Sequence, residues 1–385
     1  MTGSFSTSDA ARVIEDAIAA GLLPAAAVDV GSSDGPMWSQ AFGAVTFVDG
    51  RVAASVETPF DLASLTKVIA TTTIAMNLVA NGVLRLDQPV AELLREWRGA
   101  DRAAVTIADL LVHASGLPAR LVDTPPAGRR EFEHDICTMP LEYLPRTASI
   151  YSDLGFILLG FLLADRGGSP LQDQFDALKV WPTASAKALA DRRFDFATAA
   201  SNPPERGSED GSVDSHLLTF DLPLARRRLT APTMPMADDA RRGRVLRGEV
   251  HDNYAAALGG VAGHAGLFGT APGVGAFARQ VLRALRGDMT LPPPWKPERL
   301  RRFAAKTSVP GSSRALGWDT MLPTSSCGTR MSASAIGHVG FTGTSLWIDP
   351  DRDRYFVLLT NRVCGAGTLD QMRSVRRAFH DALAP

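Results

Sequence analysis

A serine followed three residues later by a lysine is the first combination in this sequence that could perform nucleophilic chemistry. Ser64 and Lys67 stand in the stretch ASLTKVIATTTIAM. Residues three apart share one face of a helix, so the lysine amine would lie beside the serine hydroxyl. A serine needs a base beside it to attack a carbonyl, and the N-terminus of a helix favours a developing oxyanion. The spacing therefore indicates a serine nucleophile assisted by an amine.

The surroundings of Lys67 make a surface role less attractive. The segment is apolar almost all round, which is typical of a buried helix. A buried lysine is costly unless it is paired with an anion or loses its proton. Moving its pKa from about 10.4 to about 7–8 would take about 4 kcal/mol. A buried lysine that is paired or deprotonated is typical of functional sites. The alternative is a lysine whose ammonium group reaches solvent.

A second candidate base precedes another apolar helix. Tyr151, Ser152 and Asp153 stand directly before GFILLGFLLA. Ser152 suits the N-cap and Asp153 the first helical turn, so structural roles explain both residues. Tyr151 is not needed for capping. Beside a lysine, its pKa could be lowered so that the phenolate serves as general base. The alternative is a half-buried structural tyrosine.

The third candidate segment is His338-Val339-Gly340-Phe341. We predict that it opens a strand running on through TGTSLWIDP. A glycine inside a strand often marks the close approach of a ligand or another backbone. An edge strand there could offer a backbone N–H as an oxyanion donor, whose loss typically costs about 3–4 kcal/mol of activation energy. His338 by itself is equally well an ordinary strand histidine.

The elements that must position these residues follow from periodicity and turn signals. Helices are predicted over residues 8–21, 64–81, 272–286 and 368–383, with a capping-box start at Thr106 and Asp109. Strands are predicted over residues 25–30, up to 42, 336–348 and 354–360. The motif G-x-S-x-G at residues 31–35 is interpreted as the turn of the first hairpin, because no helix follows it.

Strands lie near both ends of the sequence and helices fill the middle. We therefore predict an α+β fold in which residues 1–58 and 254–385 form one domain with an antiparallel sheet flanked by helices. Residues 59–253 are predicted to form a mostly helical inserted domain. Within it, residues 168–250 are interpreted as an irregular insertion that either shapes the substrate site or is a loop without a catalytic part.

Composition narrows the classes of function. The 385 residues include 40 basic and 41 acidic side chains, and this balance does not indicate a nucleic-acid-binding protein. Three distant cysteines, Cys137, Cys327 and Cys364, form neither a disulfide framework nor a zinc motif. We expect no cofactor and no metal. The N-terminal residues lack a signal pattern and no apolar run reaches a bilayer-spanning length, so we expect a cytoplasmic protein without a membrane partner.

Together, SLTK, YSD and HVG resemble the three motifs of the serine β-lactamase and penicillin-binding-protein superfamily, S-x-x-K, Y-x-N and K-T-G. The blocks TPFDLASLTKVIATTT, LLVHASGLP, YSDLGFILLG, RGEVHDNYAAALGGVAGHAGLFGTAP and GHVGFTGTSLWIDP resemble the class C β-lactamase-like branch that includes family VIII carboxylesterases. The resemblance covers about residues 8–384 and is weakest over 168–240. It implies a β-lactamase/transpeptidase-like fold.

The resemblance also assigns roles by position. It makes Ser64 the nucleophile, acylated during turnover, and Lys67 and Tyr151 its general base. The backbone N–H groups of Ser64 and Phe341 would form the oxyanion hole. It further implies that the substrate-binding residues are Asp153, His338, Val339 and Gly340.

Three departures from the family motifs bear on the substrate. Asp153 stands in place of an asparagine and, when ionised, only accepts hydrogen bonds. His338 replaces a lysine, and Val339 replaces a hydroxyl residue that helps to hold a β-lactam carboxylate. We therefore expect a carboxylesterase acting on small-acyl esters. The alternatives are a D-amino-acid amidase or peptidase, a weak β-lactamase, and a non-catalytic scaffold or binding protein. His264 is expected to pack or orient a loop, with a catalytic role as the alternative.

Overall fold

The main sheet joins the two ends of the chain. The computed structural model describes residues 6–46, 52–121, 125–179 and 215–384. Its strands are β1 Ala25–Gly31, β2 Pro36–Gly43, β3 Phe60–Asp61, β4 Leu218–Thr219, β5 Phe268–Gly269, β6 Asp319–Thr320, β7 Ile336–Val339, β8 Ser345–Asp349 and β9 Arg354–Thr360. Six of them form a sheet in the order β2-β1-β9-β8-β7-β6, and β3-β5-β4 form a small second sheet.

Eleven α-helices lie within the described residues. They are α1 Thr7–Ala19, α2 Thr72–Ala80, α3 Ile107–Leu111, α4 Arg129–Thr138, α5 Asp153–Gly167, α6 Leu171–Leu178, α7 Leu224–Arg227, α8 Asn253–Ala257, α9 Ala271–Leu285, α10 Pro297–Ala304 and α11 Leu369–Leu383. A π-helical turn, Lys67–Thr71, leads directly into α2. Nine of these α-helices, α2 to α10, and the π-helical turn follow β2 and precede β7, which places most of the helical structure between the two groups of sheet strands.

Alternation along the central strands separates two cores. Successive side chains of a strand point to opposite faces of a sheet. In β9, Val357 and Leu359 belong to the larger apolar core, whereas Phe356 and Leu358 belong to a smaller one. The helix α9 packs across β9, β1 and β8, while α1 and α11 pack against each other on the smaller core. The antiparallel sheet flanked by helices is therefore confirmed.

Most predicted elements match the structure. The hairpin around residues 31–35 is present, with β1 and β2 antiparallel and Val28 opposite Gln40. Thr106 and Asp109 form the predicted capping box at the start of α3. The division of the chain at residues 58 and 254 stays a prediction.

One local prediction was wrong, and the structure refines two others. The segment 336–348 is two antiparallel strands, β7 and β8, because the chain turns at residues 340–344, where Gly343 has a φ of 105°. The helix predicted over 64–81 is present, and its residues Lys67–Thr71 form a π-helical turn. The irregular segment 168–250 contains the regular helix α6, and residues 180–214 within it lie outside the described residues.

The apolar helix α5 holds the helical core together. Leu159 is fully buried in the larger core. We expect Leu159→Ala to lower the free energy of unfolding by about 2–5 kcal/mol, because it removes buried methyl groups and leaves a cavity. Urea unfolding followed by circular dichroism measures this. Leu229→Ala is the control, since Leu229 is 54% exposed, and a comparable loss in both variants would contradict the prediction.

Among the described residues, no single helix has both the length and the apolarity to cross a membrane. One pair, α5 and α6, meets the criteria of length and composition only when taken together, and it is bent by 73°.

Candidate active site

The turn that carries Ser64 is fixed by a buried carboxylate. Asp61, in β3, accepts hydrogen bonds from the backbone N–H groups of Ala63 at 2.8 Å and His251 at 2.6 Å. Burial raises the pKa of Asp61 to about 6, and these two donors oppose the rise. Ala63 has a φ of 48°, an unfavourable conformation for a residue with a side chain. The surroundings thus hold a strained residue immediately before Ser64, as is common at functional sites.

Three side chains from two elements meet at one hydroxyl oxygen. The phenol of Tyr151 donates a hydrogen bond to Ser64 Oγ at 2.6 Å. Lys67 Nζ donates to the same oxygen at 3.0 Å. Tyr151 stands just before α5, and Ser64 and Lys67 stand at the start of the π-helical turn. Both distances allow proton transfer, so the structure brings together the three residues that the sequence singled out.

Lys67 is a paired ammonium group. Besides Ser64 Oγ, its Nζ contacts Asp153 Oδ1 at 2.8 Å and the carbonyl oxygen of His264 at 3.1 Å. Three acceptors satisfy the three N–H donors of an ammonium ion. Burial would lower the pKa of Lys67, but the charges of Asp153 and Tyr151 and their hydrogen bonds together outweigh it, and the pKa is raised. The buried Lys67 is therefore stabilised by pairing with an anion and not by loss of its proton.

A close approach of two glycines brings the His264 carbonyl to Lys67. Gly160 of α5 packs directly on Gly263, since a Cβ on Gly160 would lie 2.9 Å from the Gly263 Cα. No residue with a side chain fits at this contact without movement of one backbone. The neighbouring carbonyl of Gly263 accepts a hydrogen bond from the Thr71 hydroxyl at 2.6 Å. The loop is thereby held against both helices beneath the nucleophile.

Tyr151 is enclosed by rings and cations. The ring of His113 lies 4.8 Å from it and that of His338 lies 5.8 Å away, centroid to centroid. The guanidinium of Arg314 lies over the Tyr151 ring at 5.3 Å. Burial raises the pKa of Tyr151, and the Lys67 charge only partly opposes this. The predicted lowering of the Tyr151 pKa by its lysine neighbour was therefore wrong, because the desolvation of the phenolate outweighs one nearby cation.

The two histidines beside Tyr151 are neutral. Burial, and after it the charge of Arg314, holds the pKa of His113 and of His338 well below the usual value. His113 Nδ1 accepts a hydrogen bond from the backbone N–H of Ser152, so its proton is on Nε2. His338 Nδ1 faces the carbonyl oxygen of Val339 at 2.8 Å and carries the proton there. His338 therefore brings no positive charge to the site at neutral pH.

The turn between β7 and β8 lies against the segment that bears Ser64. The hydroxyl of Thr342 donates to the carbonyl of Asp61 at 2.8 Å, and that of Thr344 donates to the carbonyl of Leu62 at 3.1 Å. Arg376 binds the carbonyl oxygen of Gly340 at 2.7 Å, and Arg362 binds that of Phe341 at 2.7 Å. The turn is thus fixed through its carbonyl groups.

Two backbone N–H groups are left without partners by this arrangement. Those of Ser64 and Phe341 donate to no acceptor within the described residues. They belong to the two segments that the threonines tie together, and Phe341 is 36% exposed. Such donors are what an oxyanion hole requires. Phe341 lies in a turn and not in a continuous strand, which corrects the prediction made from the sequence for residues 336–348.

A chain of alternating charges, which sequence reasoning missed, extends from Lys67 towards solvent. Asp153 Oδ2 contacts Arg120 Nη1 at 3.0 Å, and the same guanidinium contacts Asp252 Oδ2 at 3.2 Å. Asp252 Oδ1 in turn lies 2.8 Å from His264 Nε2. His264 thus orients the loop, as expected, and its Nδ1 has no partner among the described side chains. The sequence feature that could have identified Asp252 is its position as the N-cap residue of α8. No feature of the sequence singled out Arg120.

A protein-family model and several relatives match this sequence. A protein-family model described as Beta-lactamase matches residues 10–378. A protein of Escherichia coli (strain K12), named as a D-alanyl-D-alanine carboxypeptidase, is 29% identical over 85% of this chain and 75% of its own length. The N-acetylmuramyl-L-alanine amidase of Bacillus subtilis (strain 168) is 28% identical over 94% of this chain and 82% of its own length.

Solved structures share the fold. EstCE1, a hydrolase with promiscuous acyltransferase activity, superposes with a TM-score of 0.68 at 19% identity, covering 98% of each chain. A class C β-lactamase from Rhodobacter sphaeroides superposes with a TM-score of 0.67 at 18% identity, again over 98% of each chain. Because the family match spans nearly all of the sequence, the chain belongs to the Beta-lactamase family, within the serine hydrolase superfamily.

Proposed function

We propose that this protein is a carboxylesterase that cleaves small-acyl esters through an acyl-enzyme on Ser64. The observation that supports it is the double contact of Ser64 Oγ, at 2.6 Å from the Tyr151 phenol and 3.0 Å from the Lys67 ammonium. One group can move a proton, and the other supplies a fixed positive charge. A serine in such surroundings is suited to acyl transfer.

Acylation begins from the form in which Tyr151 is ionised and Lys67 is protonated. The phenolate takes the Ser64 proton as Ser64 Oγ bonds to the ester carbonyl carbon. The backbone N–H groups of Ser64 and Phe341 bind the resulting oxyanion. When the carbonyl re-forms, the bond to the alkoxy oxygen breaks, and Tyr151 returns its proton to the leaving alcohol.

Deacylation repeats the same steps with water. The Tyr151 phenolate takes a proton from water, whose oxygen attacks the acyl carbon. Collapse of the second tetrahedral intermediate breaks the bond to Ser64 Oγ, and Tyr151 returns the proton to this oxygen. The acid is released, and Lys67 stays an ammonium throughout because Asp153 balances its charge. The rate should therefore rise with pH as Tyr151 ionises.

The site favours a neutral ester over an anionic β-lactam. Both oxygens of Asp153 contact cations, Lys67 and Arg120, which keep it a carboxylate. A carboxylate has no N–H to donate to a substrate amide. His338 is neutral, and Val339 has no hydroxyl to hold a carboxylate. Ester cleavage needs only the nucleophile, the base and the oxyanion donors.

A D-amino-acid amidase or peptidase is the second candidate. It is favoured by the names of two relatives, a D-alanyl-D-alanine carboxypeptidase and an N-acetylmuramyl-L-alanine amidase, each 28–29% identical to this chain. The same acyl-enzyme would serve, with an amine as the leaving group.

Parallel assays separate these activities. We expect kcat/KM for p-nitrophenyl butyrate to exceed that for a chromogenic cephalosporin and for D-alanine p-nitroanilide by at least about 100-fold, a difference of about 3 kcal/mol in transition-state binding. The three assays use the same enzyme preparation at one pH. Faster turnover of the anilide would establish the amidase instead, and faster turnover of the cephalosporin would establish a β-lactamase.

A further inference from the structure

We propose that Asp153 is a positioning residue that keeps Lys67 a permanent cation and whose own negative charge sets the pH range in which Tyr151 works as the base. This inference rests on the proposed esterase function and concerns the same site. It goes beyond that function because it assigns the pH dependence of turnover to one carboxylate that does not touch Ser64.

The first support is the stoichiometry of hydrogen bonds at Lys67. All three of its donors have acceptors, and one acceptor is a carboxylate at 2.8 Å. The Lys67 side chain has no exposed surface, and that of Asp153 is 11% exposed. Removing the Lys67 proton would leave Asp153 Oδ1 without its cation in this buried place, which is strongly unfavourable.

The second support is that Asp153 is held as an anion from its other side. Its Oδ2 contacts Arg120, which also contacts Asp252 and donates to Asn253 Oδ1 at 2.7 Å. Burial would raise the pKa of Asp153, but the charge of Lys67, with contributions from His264 and Arg120, lowers it. The carboxylate therefore stays ionised throughout the range in which an esterase is assayed.

The third support is the set of groups that face Tyr151. Two cations, Lys67 and Arg314, contact its ring, and both favour the phenolate. The histidines on α3's following turn and on β7, His113 and His338, are neutral and contribute no charge. Asp153 is the nearby anion that opposes ionisation of the phenol. Its removal should make the phenolate form at lower pH.

The experiment compares pH profiles of kcat/KM for p-nitrophenyl butyrate. We expect Asp153→Asn to move the acidic limb down by about one pH unit, the size of effect that one charge has at this range in a partly desolvated site. Asp153→Glu keeps the charge and should keep the limb close to that of the wild type. Asp165→Asn, on the exposed end of the same helix, is the control for loss of a carboxylate and should not move it.

A second variant, for which the expected pH shift has the opposite sign, tests the proposal if Asp153→Asn does not fold. Arg120→Gln removes the cation on the far oxygen of Asp153, so the limb should move up, by less because Arg120 is 42% exposed and screened by solvent. An unmoved limb in Asp153→Asn, or a downward shift in Arg120→Gln, would overturn the role of Asp153. Failure of the esterase proposal shows separately, as wild-type protein that turns over the anilide or the cephalosporin faster than the ester.

Discussion

Replacing Ser64 by alanine is expected to lower kcat/KM for p-nitrophenyl butyrate by at least about 10⁴-fold, because the atom that forms the acyl-enzyme is removed. The Tyr151 phenol and the Lys67 ammonium both contact this oxygen, so the variant leaves them without their shared partner. The same variant should lose all labelling by a fluorophosphonate probe. Steady-state kinetics and in-gel fluorescence measure the two effects.

The matched control is the serine of the other motif. Ser33→Ala alters the G-x-S-x-G sequence, whose hydroxyl donates to Asp353 at 3.1 Å in the hairpin turn between β1 and β2. It should keep both activity and labelling. If Ser33→Ala lost labelling and Ser64→Ala kept it, the nucleophile would be misassigned. An unlabelled wild type would favour a non-catalytic scaffold.

Replacing Tyr151 by phenylalanine is expected to lower kcat for the ester by about 10²–10⁴-fold with little change in KM, because general acid–base catalysis contributes about that much. The ring and its packing against His113 are kept, and only the proton-transferring oxygen is lost. The loss should be larger at alkaline pH, where the phenolate of the wild type is most populated.

Tyr143→Phe is the control for this variant. The Tyr143 hydroxyl donates to the backbone carbonyl of His113 at 2.9 Å and does not contact Ser64. Its removal should leave kcat within a few-fold of the wild type. Equal losses in Tyr151→Phe and Tyr143→Phe would mean that the phenol of Tyr151 supports the structure and not the chemistry.

Local signals singled out candidate residues of the site, and the resemblance to the β-lactamase superfamily assigned their roles. The spacing of Ser64 and Lys67, the N-cap at Ser152 and the hairpin glycines are readable over a few residues. The fold class followed from strands near both ends of the sequence. These features depend on short-range geometry, which a single sequence records.

Contacts between distant segments could not be read in the same way. The pairing of Lys67 with Asp153, and of Asp153 with Arg120, joins residues from separate parts of the chain. No periodicity or spacing indicates which carboxylate will meet a buried lysine. The pKa directions of Lys67 and Tyr151 depend on these neighbours and on burial, so they could not be derived from residue types.

The turn after β7 was not predicted, for a different reason. Apolar residues stand at both ends of the segment from Ile336 to Ile348, and the turn between them contains phenylalanine and threonines, which are also common in strands, so the sequence favours one strand. A hairpin was decided by Gly343 at positive φ and by arginines that bind the turn carbonyls. Gly343 is in the segment itself, but the arginines lie outside it, Arg376 on α11 and Arg362 after β9.

The order of strands in the main sheet also governs how this protein can fold during synthesis. β1 is an interior strand, with the edge strand β2 on one side and β9 on the other, and Ala26 pairs with Thr360. The first hairpin therefore waits for a partner that leaves the ribosome more than three hundred residues later. Pairings of such long range form slowly. Until then one edge of β1 has no strand to pair with, so a nascent chain stalled before β9 is a natural substrate for chaperones.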